Sequence, residues 1–535
     1  MVTTAWWRGG TLYHAYVRSF RDTNGDGFGD IRGLIDKLDY LEWLGIDGLW
    51  LSPTMPSPNR DWGYDVSDYC DVQSDLGTLN DLDELISLGR ERNIRIMLDL
   101  VANHTSDQHP WFVESRASKD SEYRDYYVWA DAKPDGSRPN NWIDDTGEPG
   151  WTWDEATEQY YFHNFLDAQP DLNWWNPRVH EEFDRIVRFW FDRGVAGFRI
   201  DVANGLYKDA QLRDNPHHPR AYIYDTEIQG RYGLQHVHNF NQPEVHDVYR
   251  HWRAIAEEHP EPKLLLGETW VARVDELAPY YGEAGEELQL GFNFPFIFAP
   301  FEPEFLARIV RESLASFPPG SCPIWAGSNH DLPRMGTRWA DGDVRKIRLA
   351  HTLLATLPGT FTIYYGDELG MVDSDIPAEL QQDPLTQGGL NGQWPRDNAR
   401  APMRWDDSAS GEFSSGTAWL PVPDETSPSV ASQLRENDSV LHLVRGLIHL
   451  RRDVFAGTVP AYVEGPVSST LWSFASGRLA VMANFSDEPV TLSRPIDPLL
   501  RSSTGAAGGL TDHVAPWEAV VFTAPTESIE SLLGW

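Results

Sequence analysis

This chain has little cysteine, little positive charge and no long apolar run, and each shortage removes a class of function. Only two cysteines, Cys70 and Cys322, occur in 535 residues. They lie far apart and without metal-ligand spacing, which argues against a disulfide framework and a cysteine-based zinc site. Lys and Arg total 44 against 81 Asp and Glu, a formal net charge of -37. A field of that sign repels phosphate backbones and anionic lipid, so neither nucleic acid nor a membrane surface is expected as a partner. No segment reaches the roughly 20 apolar residues of a membrane-crossing helix. The opening Met-Val-Thr-Thr-Ala-Trp-Trp-Arg has no basic stretch followed by an apolar core, so no secretory signal is read. The expectation is a soluble, cytoplasmic protein, with an oligomeric state that nothing in the sequence encodes.

Aromatic residues, by contrast, are plentiful: 12% of the chain, with 23 Trp. Such rings pack cores and also stack on sugar faces. Short apolar runs alternate with segments of helical period. The predicted strands are Leu12–Val17, Ile46–Leu51, Ile94–Leu100, Val195–Ile200, Leu264–Gly267, Leu290–Phe294, Ile324–Ala326 and Phe361–Tyr365. Their near-continuous hydrophobicity suits parallel strands buried on both faces. Between them, Ile31, Leu34, Ile35, Leu38 and Leu41 share a helix face closed by Gly45, and Asn176-Pro177 opens a helix that Gly194 stops. Eight strands, most followed by helix, predict an α/β fold, a (β/α)8 TIM barrel.

Two connections are too long for plain barrel loops. Residues 104–176 form a small domain inserted after strand 3, and a second long stretch, 370–420, contains Gly388-Gly-Leu-Asn-Gly392. From about Thr458 the pattern becomes short and alternating, which predicts a C-terminal antiparallel β-sandwich domain. The division is therefore 1–103 with 177–455 for the barrel, 104–176 for the insertion and 456–535 for the β-domain.

Reactive groups in such barrels sit where strands end. His104 follows the third strand in Asp99-Leu-Val-Ala-Asn-His104, and Arg199 and Asp201 close the fourth in Gly197-Phe-Arg-Ile-Asp201. Glu268 ends the fifth, and His330 and Asp331 follow the seventh in Ser328-Asn-His-Asp331. One carboxylate at a strand end is usually a cap. Three, with an arginine and two histidines beside them, suit glycoside cleavage, which needs one carboxylate to attack or to activate water and one carboxylic acid to protonate the leaving oxygen. Arg199 and Asp201 share a strand face. The guanidinium is expected to lower the Asp201 pKa and keep it ionised, while Glu268, among other carboxylates, is expected to be raised. His104 and His330 would bond sugar hydroxyls.

These segments, in this order and with Gln169-Pro-Asp-Leu-Asn173, resemble the signature regions of the α-amylase superfamily, glycoside hydrolase family 13, over essentially the whole chain. The resemblance implies a retaining double displacement with Asp201 as nucleophile, Glu268 as acid/base and Asp331 as transition-state stabiliser. Asp61-Trp-Gly-Tyr64-Asp65 and Arg396-Asp-Asn-Ala-Arg400-Ala-Pro-Met-Arg-Trp405-Asp resemble the exo-acting α-glucosidase and oligo-1,6-glucosidase branch. That branch implies a terminal-glucose site lined by Asp61 and Tyr64, with Arg400 opposite Asp61 and Phe165 stacked beside the ring. Small α-glucosides are the implied substrates.

Asp22-Thr-Asn24-Gly-Asp26-Gly-Phe28-Gly-Asp30 begins like a calcium loop, with oxygen donors at alternate positions. Gly33 stands where an EF-hand needs its bidentate Glu. The same stretch in the glucosidase branch is a structural Ca2+ or Mg2+ site, which implies Asp22, Asn24, Asp26, the Phe28 carbonyl and Asp30 as ligands. Two alternatives accompany hydrolysis. A glucosyl-transferring or isomerising enzyme, trehalose synthase-like or sucrose isomerase-like, would use the same residues; Val202, where trehalose synthase-like proteins carry Ala, argues mildly against the first. A non-catalytic transporter partner would have a membrane helix and would lack the carboxylates. The stretch from Lys208 to Glu244 is expected to wall the acceptor side.

Overall fold

The computed structural model describes residues 5–217, 233–384, 395–455 and 457–524. His218 and Pro219, and the whole of Gly388-Gly-Leu-Asn-Gly392, lie outside these residues.

Eight parallel strands form the central sheet: β1 (Thr11–Ala15), β2 (Gly48–Leu51), β3 (Arg95–Val101), β7 (Gly197–Asp201), β8 (Leu264–Gly267), β9 (Leu290–Gly291), β10 (Ile324–Ala326) and β11 (Thr360–Tyr364). Their order, β10-β11-β1-β2-β3-β7-β8-β9, curls into a nearly closed barrel. Almost every residue of these strands is buried, as parallel strands covered on both faces require. Observed and predicted strands coincide to within a few residues, except that β9 is only two residues long. Asn293 caps and Pro295 enters a helical turn, Phe294–Ile297, which begins at the last residue of the expected strand.

Inward side chains follow the period of two. Leu12, Trp50, Met97, Leu264, Leu266, Leu290, Phe292, Ile324 and Ala326 form one apolar cluster that fills the barrel. The surrounding helices bury their own apolar stripes against the outside. The longest, Pro177–Arg193, is capped by the Asn176 side chain and ends at Gly194, whose φ of 107° a Cβ would oppose.

Between β3 and β7 stand the helix Pro110–Ala117 and a small sheet of β4 (Trp129–Ala130), β5 (Trp151–Asp154) and β6 (Gln159–Phe162), ordered β4-β6-β5. Trp142, Trp151 and Phe162 make its core. At the C-terminal end, β12 (Tyr462–Ser468), β13 (Leu471–Ser476), β14 (Leu479–Asn484), β16 (Pro498–Arg501) and β18 (Ala519–Thr523) pair antiparallel in the order β12-β13-β14-β18-β16. β15 (Val490–Ile496) and β17 (Thr511–Val514) form a ribbon beside it. Alternation decides which way this sheet faces. Leu479, Val481 and Ala483 join the main core, whereas Ala480 and Met482 pack under the ribbon with Leu492, Ile496 and Val514. Both cysteines are free. No described helix is long and apolar enough to cross a membrane.

Candidate active site

The polar site grows directly out of the barrel's inward parity. Met97 and Asp99 share one face of β3, and Arg199 and Asp201 one face of β7. The two strands are in register, with Asp99 opposite Arg199 and Arg199 opposite Leu266. One layer up from the apolar plug, therefore, the inward residues become charged. Arg199, 1% exposed, is the hub. Its Nη1 lies 2.8 Å from Asp99 Oδ1 and 2.6 Å from Asp201 Oδ1, and its Nη2 pairs with Glu268 Oε1. Trp50 Nε1 and Tyr64 Oη donate to Asp99 Oδ2 at 3.3 and 3.2 Å.

Three carboxyl groups around one guanidinium cannot all ionise cheaply. Burial pushes Asp201 well above the usual carboxylate range, and the neighbouring Glu268 and Asp99 add to the rise. This overturns the expectation that Arg199 would lower it. The guanidinium does pull downward, but desolvation of the buried carboxyl is the larger effect. Burial also raises Glu268, with Asp331 adding repulsion, and raises Asp99 to about 6. The three carboxyl groups are close enough to titrate as a coupled set rather than one by one.

The backbone contributes two donors to Glu268, one of them to its carboxyl. Val202, directly after Asp201, has φ of 45°, a conformation that costs a β-branched residue strain. In it the Val202 N–H donates to Glu268 Oε2 at 3.0 Å and the Ala203 N–H to the Glu268 carbonyl at 2.8 Å.

The other residues expected at the site converge beside this hub. Tyr64 Oη lies 2.6 Å from His330 Nε2, and the two rings stack with centroids 5.3 Å apart. His330 Nε2 is 3.1 Å from Asp331 Oδ2. Burial, reinforced by Arg400, Arg199 and Arg396, drives His330 well below its ordinary value, so the ring is neutral. His104 is likewise lowered by burial, to about 4. Asn103 donates to its Nδ1 at 3.1 Å, which leaves the proton on Nε2 facing the Tyr64 carbonyl at 3.0 Å. Phe165 packs against the same imidazole, centroids 5.2 Å apart.

The pairing across the floor differs from the expectation. Arg396, not Arg400, meets Asp61, with Nη2 2.7 Å from Oδ1. Arg396 also contacts Asp383 at 2.6 Å and Asp331 at 3.2 Å. Arg400 instead donates to Asp331 Oδ1 at 3.0 Å and, through Nε, to the His330 carbonyl at 2.8 Å. The reason is local. Arg396 opens a 3-10 turn, Arg396–Ala399, and Arg400 follows it, so the two side chains start from different positions and converge on Asp331 Oδ1, with only Arg396 extending to Asp61. Gln169 Nε2 donates to the other Asp61 oxygen at 3.2 Å.

Asp99, Gln169, Asp383 and Arg396 thus belong to the site without having been singled out from the sequence. Asp99 had a readable signal, since its parity on the third strand is that of an inward residue. Asp383 had none, because only the fold brings it to Arg396. In all, the carboxyl groups of Asp61, Asp99, Asp201, Glu268, Asp331 and Asp383 face the guanidinium groups of Arg199, Arg396 and Arg400. Acid exceeds base twofold, so the pocket suits neutral ligands and developing positive charge.

The loop 22–30 stands apart. The Asn24, Asp26 and Phe28 amides donate in turn to the side-chain oxygens of Asp22, Asn24 and Asp26, at 3.0, 2.8 and 2.8 Å. Asp30 caps the following helix through the Gly33 amide and accepts from Thr23. Asp22 also accepts from the Gly25 and Gly27 amides and the Ser414 hydroxyl, so all its lone pairs are engaged, whereas Asp26 and Asp30 keep further ones. Among the described residues no three Asp, Glu, His or Cys side chains converge as a metal cluster. A hard cation here would draw on the Asn24 amide and Phe28 carbonyl oxygens as well as the carboxylates, and the donor chemistry fits one. None of the three carboxylates pairs with a basic side chain among the described residues.

Comparison with known proteins agrees with this geometry. The alpha amylase catalytic-domain family matches residues 14–456. A probable alpha-glucosidase of Rhizobium meliloti is 40% identical over 95% of this chain and 94% of its own. The oligo-1,6-glucosidase of Bacillus cereus is 35% identical over 97% and 99%. Among solved structures, the alpha-glucosyl transfer enzyme XgtA superposes with a TM-score of 0.90 at 34% identity, covering 98% of this chain and all of its own. The trehalulose synthase MutB of Pseudomonas mesoacidophila gives 0.87 at 31% identity, over 97% and 99%. With eight barrel strands, charged residues at their ends and a match over most of its length, the chain belongs to the α-amylase family of glycoside hydrolases.

Proposed function

We propose that this enzyme is a retaining exo-α-glucosidase that releases terminal non-reducing glucose from short α-glucosides of the maltose, isomaltose or sucrose type. The observation that carries the mechanism is the shared guanidinium. Asp201 and Glu268 contact different nitrogens of Arg199. So short a span suits the roughly 5–5.5 Å carboxyl separation of retaining enzymes rather than the wider gap of inverting ones.

In this reading Glu268 is the protonated acid and Asp201 the carboxylate that Arg199 keeps charged. Glu268 passes its proton to the glycosidic oxygen as the bond to C1 breaks, and an Asp201 oxygen closes on C1 to form a glucosyl ester. The leaving sugar departs as a neutral alcohol. Glu268, now a carboxylate, takes a proton from water while the water oxygen attacks C1 and expels Asp201. Asp331 and the excess of carboxylates favour the positive charge that develops on the ring in both steps. Asp61, tied to Arg396 and Gln169, closes the floor beyond a single glucose, which makes the action exo. Tyr64, His104, Phe165, His330 and Arg400 border that pocket. The Val202 amide holds the acid in place.

Glucosyl transfer or isomerisation runs through the same intermediate and differs only in the acceptor. It is the second reading, supported by the likeness to a glucosyl transfer enzyme and a trehalulose synthase. The proposal includes a structural Ca2+ or Mg2+ held by Asp22, Asn24, Asp26, the Phe28 carbonyl and Asp30, whose charge would offset the loop's carboxylates. A cytoplasmic location remains part of this reading.

A product time course on maltose, isomaltose and sucrose, with anomeric configuration recorded, tests the function. α-Glucose released from one of them supports it. β-Glucose as the first product overturns retention, and new oligosaccharides or isomers in place of glucose move the enzyme to transfer.

A further inference from the structure

A buried polar ladder ties the segment that leaves the end of β7 to the inserted domain, and the chemistry described so far makes no use of it. Lys208 is 3% exposed and Asp171 fully buried. Lys208 Nζ lies 2.6 Å from Asp171 Oδ2 and donates to Asn103 Oδ1 at 2.7 Å. Asp171 also accepts from the Asn164 backbone and side-chain amides, at 2.8 and 2.9 Å, and from Asn103 at 3.1 Å. From Asn164 the ladder continues: Asn239 Nδ2 donates to Asn164 Oδ1 and Asn215 Nδ2 to Asn239 Oδ1, both at 2.8 Å. Asn141 closes it against the Asn215 backbone in both directions, at 2.7 and 2.8 Å.

The Lys208–Asp171, Asn239–Asn164 and Asn215–Asn141 rungs join two parts of the chain that the site needs in a fixed relation. Asn103, the last residue before the insertion, and Asn164 within it immediately precede His104 and Phe165 at the proposed glucose pocket. Lys208, Asn215 and Asn239 belong to the segment that starts at Val202 and Ala203, whose amides hold Glu268. Glu268 protonates the leaving oxygen, so this segment flanks the leaving group and any acceptor that replaces it. Burying an ammonium and a run of amides is costly unless all are paired, and a fully paired network of this kind has one arrangement.

Building on the proposed glucosidase activity, we infer that Lys208 and Asn239 are positioning residues that lock the acceptor-side wall to the inserted domain and thereby set discrimination among leaving groups and acceptors. Neither touches the reacting atoms. Their effect is exerted through the register of the wall against the glucose pocket, so it shows only where the second sugar matters.

The test compares wild type with Asn239→Ala and Lys208→Met, using a p-nitrophenyl α-glucoside and the disaccharide that wild type cleaves best. Circular dichroism and thermal unfolding check each variant's fold. Asn239→Gln, which keeps both the amide donor and the carbonyl acceptor, and Lys208→Arg serve as conservative controls. The expected result is a loss of about tenfold in kcat/KM on the disaccharide, with the aryl glucoside changed by no more than about threefold, since displacements small on the structural scale act strongly on oriented groups. The ratio of transfer products to hydrolysis should shift in the same variants and return towards wild type in the conservative ones. Equal losses on both substrates, or no change in either the substrate preference or the product ratio, would overturn the inference. If Lys208→Met does not fold, Asn239→Ala alone decides. A wild type inactive on every α-glucoside would instead refute the glucosidase reading.

Discussion

Arg396 reaches Asp61 across the floor of the pocket, Nη2 to Oδ1 at 2.7 Å, while Arg400, four residues on, turns to Asp331. Arg396 also touches Asp331, at 3.2 Å, but of the two it alone reaches Asp61, so the floor depends on it. Arg396→Ala should raise KM and lower kcat/KM by about 10²-fold, because the terminal glucose loses its stop. Arg400→Ala, through Asp331, should act mainly on kcat. Steady-state kinetics on one disaccharide check this, and the reverse pattern would return Arg400 to the floor.

Asp201→Asn should abolish turnover with the fold intact. Substantial residual activity on a natural substrate would sink the nucleophile assignment. Glu268→Gln should lose far more activity on substrates with poor leaving groups than on activated aryl glucosides, which need no proton. Equal losses in the two would count against Glu268 as the acid.

Away from the site, Glu368 is fully buried, with Tyr13 and Tyr40 both donating to its Oε1 at 2.8 Å. Burial raises its pKa to about 7. A carboxyl raised on folding contributes stability that is fully present below its ordinary value near 4.5 and lost as pH rises through about 7. Glu368→Gln keeps the acceptor oxygen and removes the charge. The variant should match wild type at pH 5 and exceed it at pH 8, by about 1–3 kcal/mol. Thermal midpoints across pH measure this, and an unchanged difference between the two pH values would contradict it.

The loop 22–30 should carry about one Ca2+ or Mg2+ per chain, in keeping with its oxygen-rich donor set. Metal analysis after dialysis reads the content directly. Removal by a chelator should lower the thermal midpoint, and re-addition should restore it. A metal-free protein whose midpoint ignores both treatments would rule out a structural cation there.

Much of this was legible in the residues because it depends on short-range pattern. Continuous apolar runs separated by helical period specify parallel strands buried on both faces, and the polar residues ending those runs mark the face of the barrel where chemistry is done. Even the Asn176 cap and the Gly194 stop are written locally. What the sequence could not determine were relations between residues far apart in the chain. Two arginines four residues apart look equivalent in sequence, and only the tertiary structure shows that both reach Asp331 while Arg396 alone goes on to Asp61. The proximity of Arg199 suggested an ionised Asp201. The pocket, once assembled, surrounds that carboxyl with Asp99 and Glu268 and removes its water, and desolvation then outweighs one guanidinium. Asp383 and the ladder from Lys208 to Asn215 carry no local signal, because a buried polar group acquires its meaning only from the partner that tertiary folding places against it.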